Sequence, residues 1–108
     1  MSWAWVYLIL AGLFEIGWPY GLKMAQSVEG KQVVGLVIAV GSMALSGFLL
    51  YNAQKEIPMG TAYAVWTGIG AAGTFVLGIV LYNDPAGTLR LASVALIIAG
   101  VIGLKLAH

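Results

Sequence analysis

The sequence predicts an all-α membrane protein with four transmembrane helices, and three observations carry the prediction. Of the 108 residues, 61% are hydrophobic and only 8% are charged, against the roughly 25% charged residues of soluble domains. Residues 32–54 and 57–83 contain no Asp, Glu, Lys or Arg at all, and uninterrupted apolar runs of that length read as membrane spans. The runs are also continuous, whereas strands of a membrane barrel alternate apolar and polar positions.

The first span covers about residues 3–22, with Trp3, Trp5 and Tyr7 at its start, where amphipathic rings sit at the membrane interface, and Lys23 at its exit. It carries Glu15 and lacks a basic leader, so it reads as a retained span and not as a signal peptide. Residues 25–32, with Ser27, Glu29, Gly30 and Lys31, read as a polar loop before the second span at 33–51. Lys55, Glu56 and Pro58 mark the next connection, and the third span, 61–82, ends in the turn formers Asn83, Asp84, Pro85 and Gly87. The fourth span is 89–107, with Arg90 and Lys105 at its two ends and able to snorkel to the headgroups. Within residues 1–108 this leaves one four-helix transmembrane domain, with short connections, no internal repeat and no low-complexity tail.

Four spans place Lys55 and Lys105 on the side of the termini and Lys23, Lys31 and Arg90 on the other. The positive-inside rule barely chooses between them. Either copies insert both ways and pair as an antiparallel homodimer, or subtler cues fix one orientation. A formal charge of +1 offers no nucleic-acid footprint. There is no Cys, and the single His, His108, cannot build a metal site alone, so metal, thiol and redox chemistry are not expected and no cofactor is implied.

Glu15 demands an explanation, because it lies in the middle third of span one with no Lys or Arg among its helical neighbours. Ionisable groups inside the membrane are costly and mark substrate or proton pathways by default; the bland reading is an inert, protonated hydrogen-bond donor between helices. Such a group holds a proton or a cation but does not readily hold neither, which is the physical minimum for proton-coupled exchange. Pro19 has no N–H, so the Glu15 carbonyl loses its helical donor and the helix is expected to kink beside the acid. That acceptor either helps to coordinate a cation or is satisfied by a neighbouring hydroxyl.

Ser46 is the most central hydroxyl of span two, serving either as interhelical glue or as a partner that orients Glu15. Tyr63 and Trp66, three residues apart, either face one cavity, offering a phenol and a ring face to a flat cation, or anchor the span end at the interface. Gly68, Gly70 and Gly73 fit the spacing GxGxxG, but no strand precedes them and no acidic residue follows for a ribose, so a dinucleotide site is rejected. Small residues there, and at Gly100 and Gly103 of span four, instead permit close packing or bending.

With these residues in view, the whole chain resembles the small multidrug resistance family, in particular its guanidinium exporters. The resemblance rests on GLFEIGW at 12–18, PMGTAYAVWTGIGA at 58–71 and GVIGLK at 100–105. The middle segment is the most specific, and Thr61 and Thr67 within it are similar to the guanidinium exporters. The resemblance implies a multi-pass protein of the bacterial cytoplasmic (inner) membrane: an antiparallel, dual-topology homodimer that exchanges an exported guanidinium-type cation for protons by alternating access. It implies binding of cation and proton by Glu15, flanked by Gly12 and Trp18, hydrogen-bonded by Ser46 and lined by Tyr63 and Trp66. It also implies a bend at Gly68, Gly70 and Gly73 and a dimer contact at Gly100 and Gly103. Two positions depart from the pattern: Pro19 and Tyr20 stand where small or aliphatic residues are usual, and Gly47 where a bulky one is common. A smaller residue at Gly47 is expected to widen a gap toward lipid and admit alkyl-substituted guanidines. The competing readings are an exporter of lipophilic quaternary ammonium ions, a non-transport membrane miniprotein, and one half of a heterodimeric exporter.

Overall fold

A computed structural model describes residues 3–107 and shows five helices in an all-α arrangement. They are α1 (Trp3–Glu15), α2 (Gly17–Ser27), α3 (Gln32–Ala53), α4 (Met59–Tyr82) and α5 (Thr88–Ala107). α1 and α2 together form one span, so four helical segments are long and apolar enough to cross a membrane. The longest dimension, 44 Å, matches a bilayer of about 40–45 Å including its headgroups. His108 lies outside the described residues.

The division of the first span at Ile16 follows from Pro19. With no N–H at residue 19, the carbonyl of Glu15 has no helical donor; Ile16 N–H turns to Leu13 O (3.2 Å), and Tyr20 N–H takes up the ladder again on Ile16 O (3.2 Å). Ile16 nevertheless keeps helical dihedrals, φ −61° and ψ −33°, so the hydrogen-bond ladder is interrupted while the backbone conformation is not.

The polar loop expected over 25–32 is shorter than its composition suggests. α2 runs through Ser27, whose hydroxyl donates to Lys23 O (2.6 Å), and Val28 N–H still reaches Met24 O (3.1 Å). These bonds satisfy the last turn beyond the apolar stretch; the chain leaves the helix at Val28, which is extended, and turns through Gly30, with φ +79°, a conformation glycine adopts without strain. Pro58 precedes α4 and its carbonyl accepts from Ala62 N–H (2.9 Å). At the far end of α4, Asn83 adopts the left-handed conformation, φ 55°, which ends the helix and presents Asp84, whose N–H bonds Gly78 O (3.2 Å).

α1 packs between α3 and α4, α2 lies along α3, and α5 touches the bundle mainly through α4. The core gathers Trp5 and Leu8 of α1, Ala53 of α3, Ile57 of the α3–α4 connection, and Ala62 and Val65 of α4. The α2–α3 seam is closest: a Cβ added at Gly21 would lie 2.5 Å from Ala39 N and Gly35 O, and one at Gly35 would lie 2.5 Å from Ala25 N. Gly17 meets Ser42 in the same seam. Small residues four apart thus bring two backbones into contact, as membrane helices use them to do. At the opposite extreme, α5 buries none of its residues within the chain.

Candidate functional site

A cavity of about 570 Å³ opens between the first span, α4 and the start of α5. Glu15, Trp18, Tyr63 and Trp66 all line it, so the structure brings together four of the residues singled out in the sequence. Glu15 is the last residue of α1, directly before the interrupted turn. Its side chain rests on Gly70 of α4, where an added Cβ would lie 2.6 Å from Glu15 Cγ. Its Oε2 is buried and has no hydrogen-bond partner among the described residues, an arrangement costly for a carboxylate unless a proton or a cation completes it.

Gly12 serves this placement from one turn earlier. A Cβ there would come 2.7 Å from Cβ of Ile69, so the bare backbone lets α1 approach α4. Tyr63 and Trp66 face each other at a centroid distance of 5.4 Å and an interplanar angle of 45°, and Tyr63 stays 57% exposed, leaving ring surface available in the cavity.

Ser46 is fully buried, but its hydroxyl is not on the acid. It donates to Ala11 O (2.6 Å) and accepts from Trp66 Nε1 (2.8 Å), tying α1, α3 and α4 at one point. The hydrogen bond to Glu15 implied by the resemblance is therefore absent from this conformation, because both roles of the hydroxyl are taken. Ser46 meets the cavity wall through Trp66, whose indole N–H it accepts.

The three glycines of α4 sit in an unbroken helix. Each faces a neighbouring side chain: Gly68 faces Val101, Gly70 faces Glu15, and Gly73 faces Ile16. In this conformation they seat side chains. A Cβ at Gly100, Gly103 or Gly47 would meet nothing within 4 Å, so within one chain those three positions look onto open space.

Thr74, Phe75, Asp84 and Arg90 also line the cavity. The signal for Thr74 was present in the sequence: Tyr63, Trp66, Gly70 and Thr74 recur at helical spacing, and the stripe continues past Trp66. Arg90, at the start of α5, also reaches the cavity wall. Its guanidinium lies over the Phe75 ring, 5.2 Å from the centroid, and its Nε donates to Pro85 O (2.9 Å). A second hollow of about 220 Å³ adjoins the first, sharing Pro19, Thr74 and Asp84 with it and reaching Lys23, which sits over Tyr82 at 5.7 Å.

Residues 3–97 match the family described as Small Multidrug Resistance protein. The chain is 51% identical over 104 residues to a protein named guanidinium exporter from Yersinia pseudotuberculosis serotype I, covering 96% of this chain and 98% of that one. Its namesake in Escherichia coli K12 is 50% identical over 103 residues, 95% of this chain and 96% of the relative. One from Proteus vulgaris is 44% identical over 104 residues, with coverage of 96% and 98%.

Proposed function

The chain belongs to the Small Multidrug Resistance family, and from that premise and the geometry of the cavity we propose that it is a proton-coupled antiporter exporting guanidinium and small substituted guanidinium ions. The observation that carries the proposal is the buried, unpartnered Oε2 of Glu15 in a cavity walled by aromatic rings. Its many close relatives are named guanidinium exporters.

The chemistry follows from what each wall offers. A guanidinium ion is planar, and paired N–H groups meet a carboxylate in a two-pronged fork, so it satisfies both oxygens of Glu15 together. The Trp66 and Tyr63 rings present π faces to the flat cation, an attraction of about 0.5–2 kcal/mol depending on desolvation. The Glu15 carbonyl, freed by Pro19, is a further acceptor for an N–H. Proton and cation compete for the same oxygens, because leaving the carboxylate bare in hydrocarbon is expensive; release of one is thereby coupled to uptake of the other.

In this reading two copies, inserted in opposite directions in the bacterial inner membrane, share the site. α5, none of whose residues is fully buried within the chain, supplies the contact through Gly100 and Gly103. Gly68, Gly70 and Gly73 let α4 change its packing as access alternates.

The test is purified protein in liposomes under a pH gradient. Guanidinium evokes proton movement with wild type and none with Glu15→Gln. A response to tetra-substituted ammonium but not to guanidinium would assign the chain to quaternary ammonium export, and silence toward both would remove transport by this chain alone.

A further inference from the structure

Arg90 places a guanidinium group at the wall of the cavity that holds Glu15. The group rests on the Phe75 ring at 5.2 Å and spends its Nε–H on Pro85 O at 2.9 Å. A guanidinium carries five N–H donors, so those on the two terminal nitrogens stay available. Asp84, which the left-handed turn at Asn83 sets beside Pro85, lines the same cavity, and no ion pair joins it to Arg90 among the described residues. The chain therefore holds one of its own planar cations on an aromatic face and a backbone acceptor, at the wall of a cavity that the Asp84 carboxylate also lines.

Resting on the proposed export of guanidinium, we propose that the Phe75 ring, the Pro85 carbonyl and the Asp84 carboxylate form an outer subsite for the transported cation, and that Arg90 is its tethered occupant, displaced whenever a cation passes to or from Glu15. Two cations do not share one ring face at contact distance, so passage requires Arg90 to swing out toward the headgroups, which its place at the end of α5 allows. The incoming ion replaces what Arg90 gives up. A guanidinium replaces both the stacking and the N–H donation to Pro85 O; a tetra-substituted ammonium has no N–H and replaces the ring contact alone. The subsite thus adds a filter for N–H-bearing planar cations at a point distinct from Glu15.

The experiment compares wild type, Arg90→Met, Arg90→Lys and Phe75→Leu, with Phe75→Leu also combined with Arg90→Met, all reconstituted in liposomes. Two quantities are read: KM for guanidinium-evoked proton flux, and the guanidinium concentration that half-saturates the change in tryptophan fluorescence from Trp18 and Trp66. Arg90→Met is expected to lower both by roughly two- to thirtyfold, the range a cation over a ring contributes. Arg90→Lys keeps the charge, guards against misfolding of the neutral variant, and gives a smaller gain. The gain disappears when Phe75→Leu is added. Unchanged values in both Arg90 variants, or a gain that survives Phe75→Leu, would overturn the proposal while leaving Glu15-dependent export intact. A wild type silent to guanidinium in both readouts would overturn the export reading, and this subsite with it.

Discussion

The α2–α3 seam and α5 are built from similar ingredients, small residues in apolar helices, yet they end in opposite states. In the seam, Gly21 and Gly35 bring backbone onto backbone; on α5, Gly100 and Gly103 face nothing within their own chain. A glycine in a membrane helix is thus not one signal but two, and only its neighbours decide which. Where the partner is within the chain, the glycine is a seat already filled; where it is not, the glycine is a seat kept for something else.

The sharpest way to break this contrast is Gly21→Val. Its Cβ would meet the backbone of α3, which cannot rotate aside as a side chain does, and overpacking of this kind costs about 1–3 kcal/mol. A marked fall in the unfolding midpoint in detergent is expected, and an unchanged midpoint would show that the seam is loose. Next in size is Ser46→Ala, at the junction where the two regions meet through α1 and α4. It leaves Trp66 Nε1 without an acceptor and removes the side-chain donor to Ala11 O, a loss of about 1–3 kcal/mol for a buried group, and it should shift Trp66 fluorescence while the seam survives. Smallest is Gly100→Ala with Gly103→Ala, which should change the stability of the isolated protomer by no more than about 0.5 kcal/mol. If α5 is the dimer contact, the same pair reduces cross-linking between copies in membranes; equal cross-linking in variant and wild type would remove that role from α5.

The four apolar segments and Glu15 were legible in the sequence because the membrane leaves little choice. Backbone groups in hydrocarbon must bond within their own helix, and one carboxyl among apolar residues stands out by cost alone. The break in the hydrogen-bond ladder before Pro19 was legible for an equally local reason, a missing N–H. Ser46 was harder: its hydroxyl had two candidate uses, and the choice of Ala11 O and Trp66 Nε1 depends on how three helices are rotated against one another, which no single segment encodes. Arg90 was read as an interfacial anchor because its stacking on Phe75 requires a left-handed Asn83 to fold the 83–87 turn back over α4. Gly17, Gly21 and Ala25 do stand at four-residue spacing, a readable pattern, but the first two fall within the expected first span and Ala25 at the start of the expected loop, so the boundary divided the stripe.

The interruption at Ile16 has a mechanical side. A beam notched halfway keeps its line but loses stiffness at the notch, and here the notch is one absent hydrogen bond in a stretch whose dihedrals stay helical. Strain applied to the first span is therefore absorbed next to Glu15 before it is absorbed elsewhere. Because α2 is clamped to α3 along the glycine seam, what lies beyond the notch is not a loose half-helix but a stiff pair, so a pull on the acid has a lever to move.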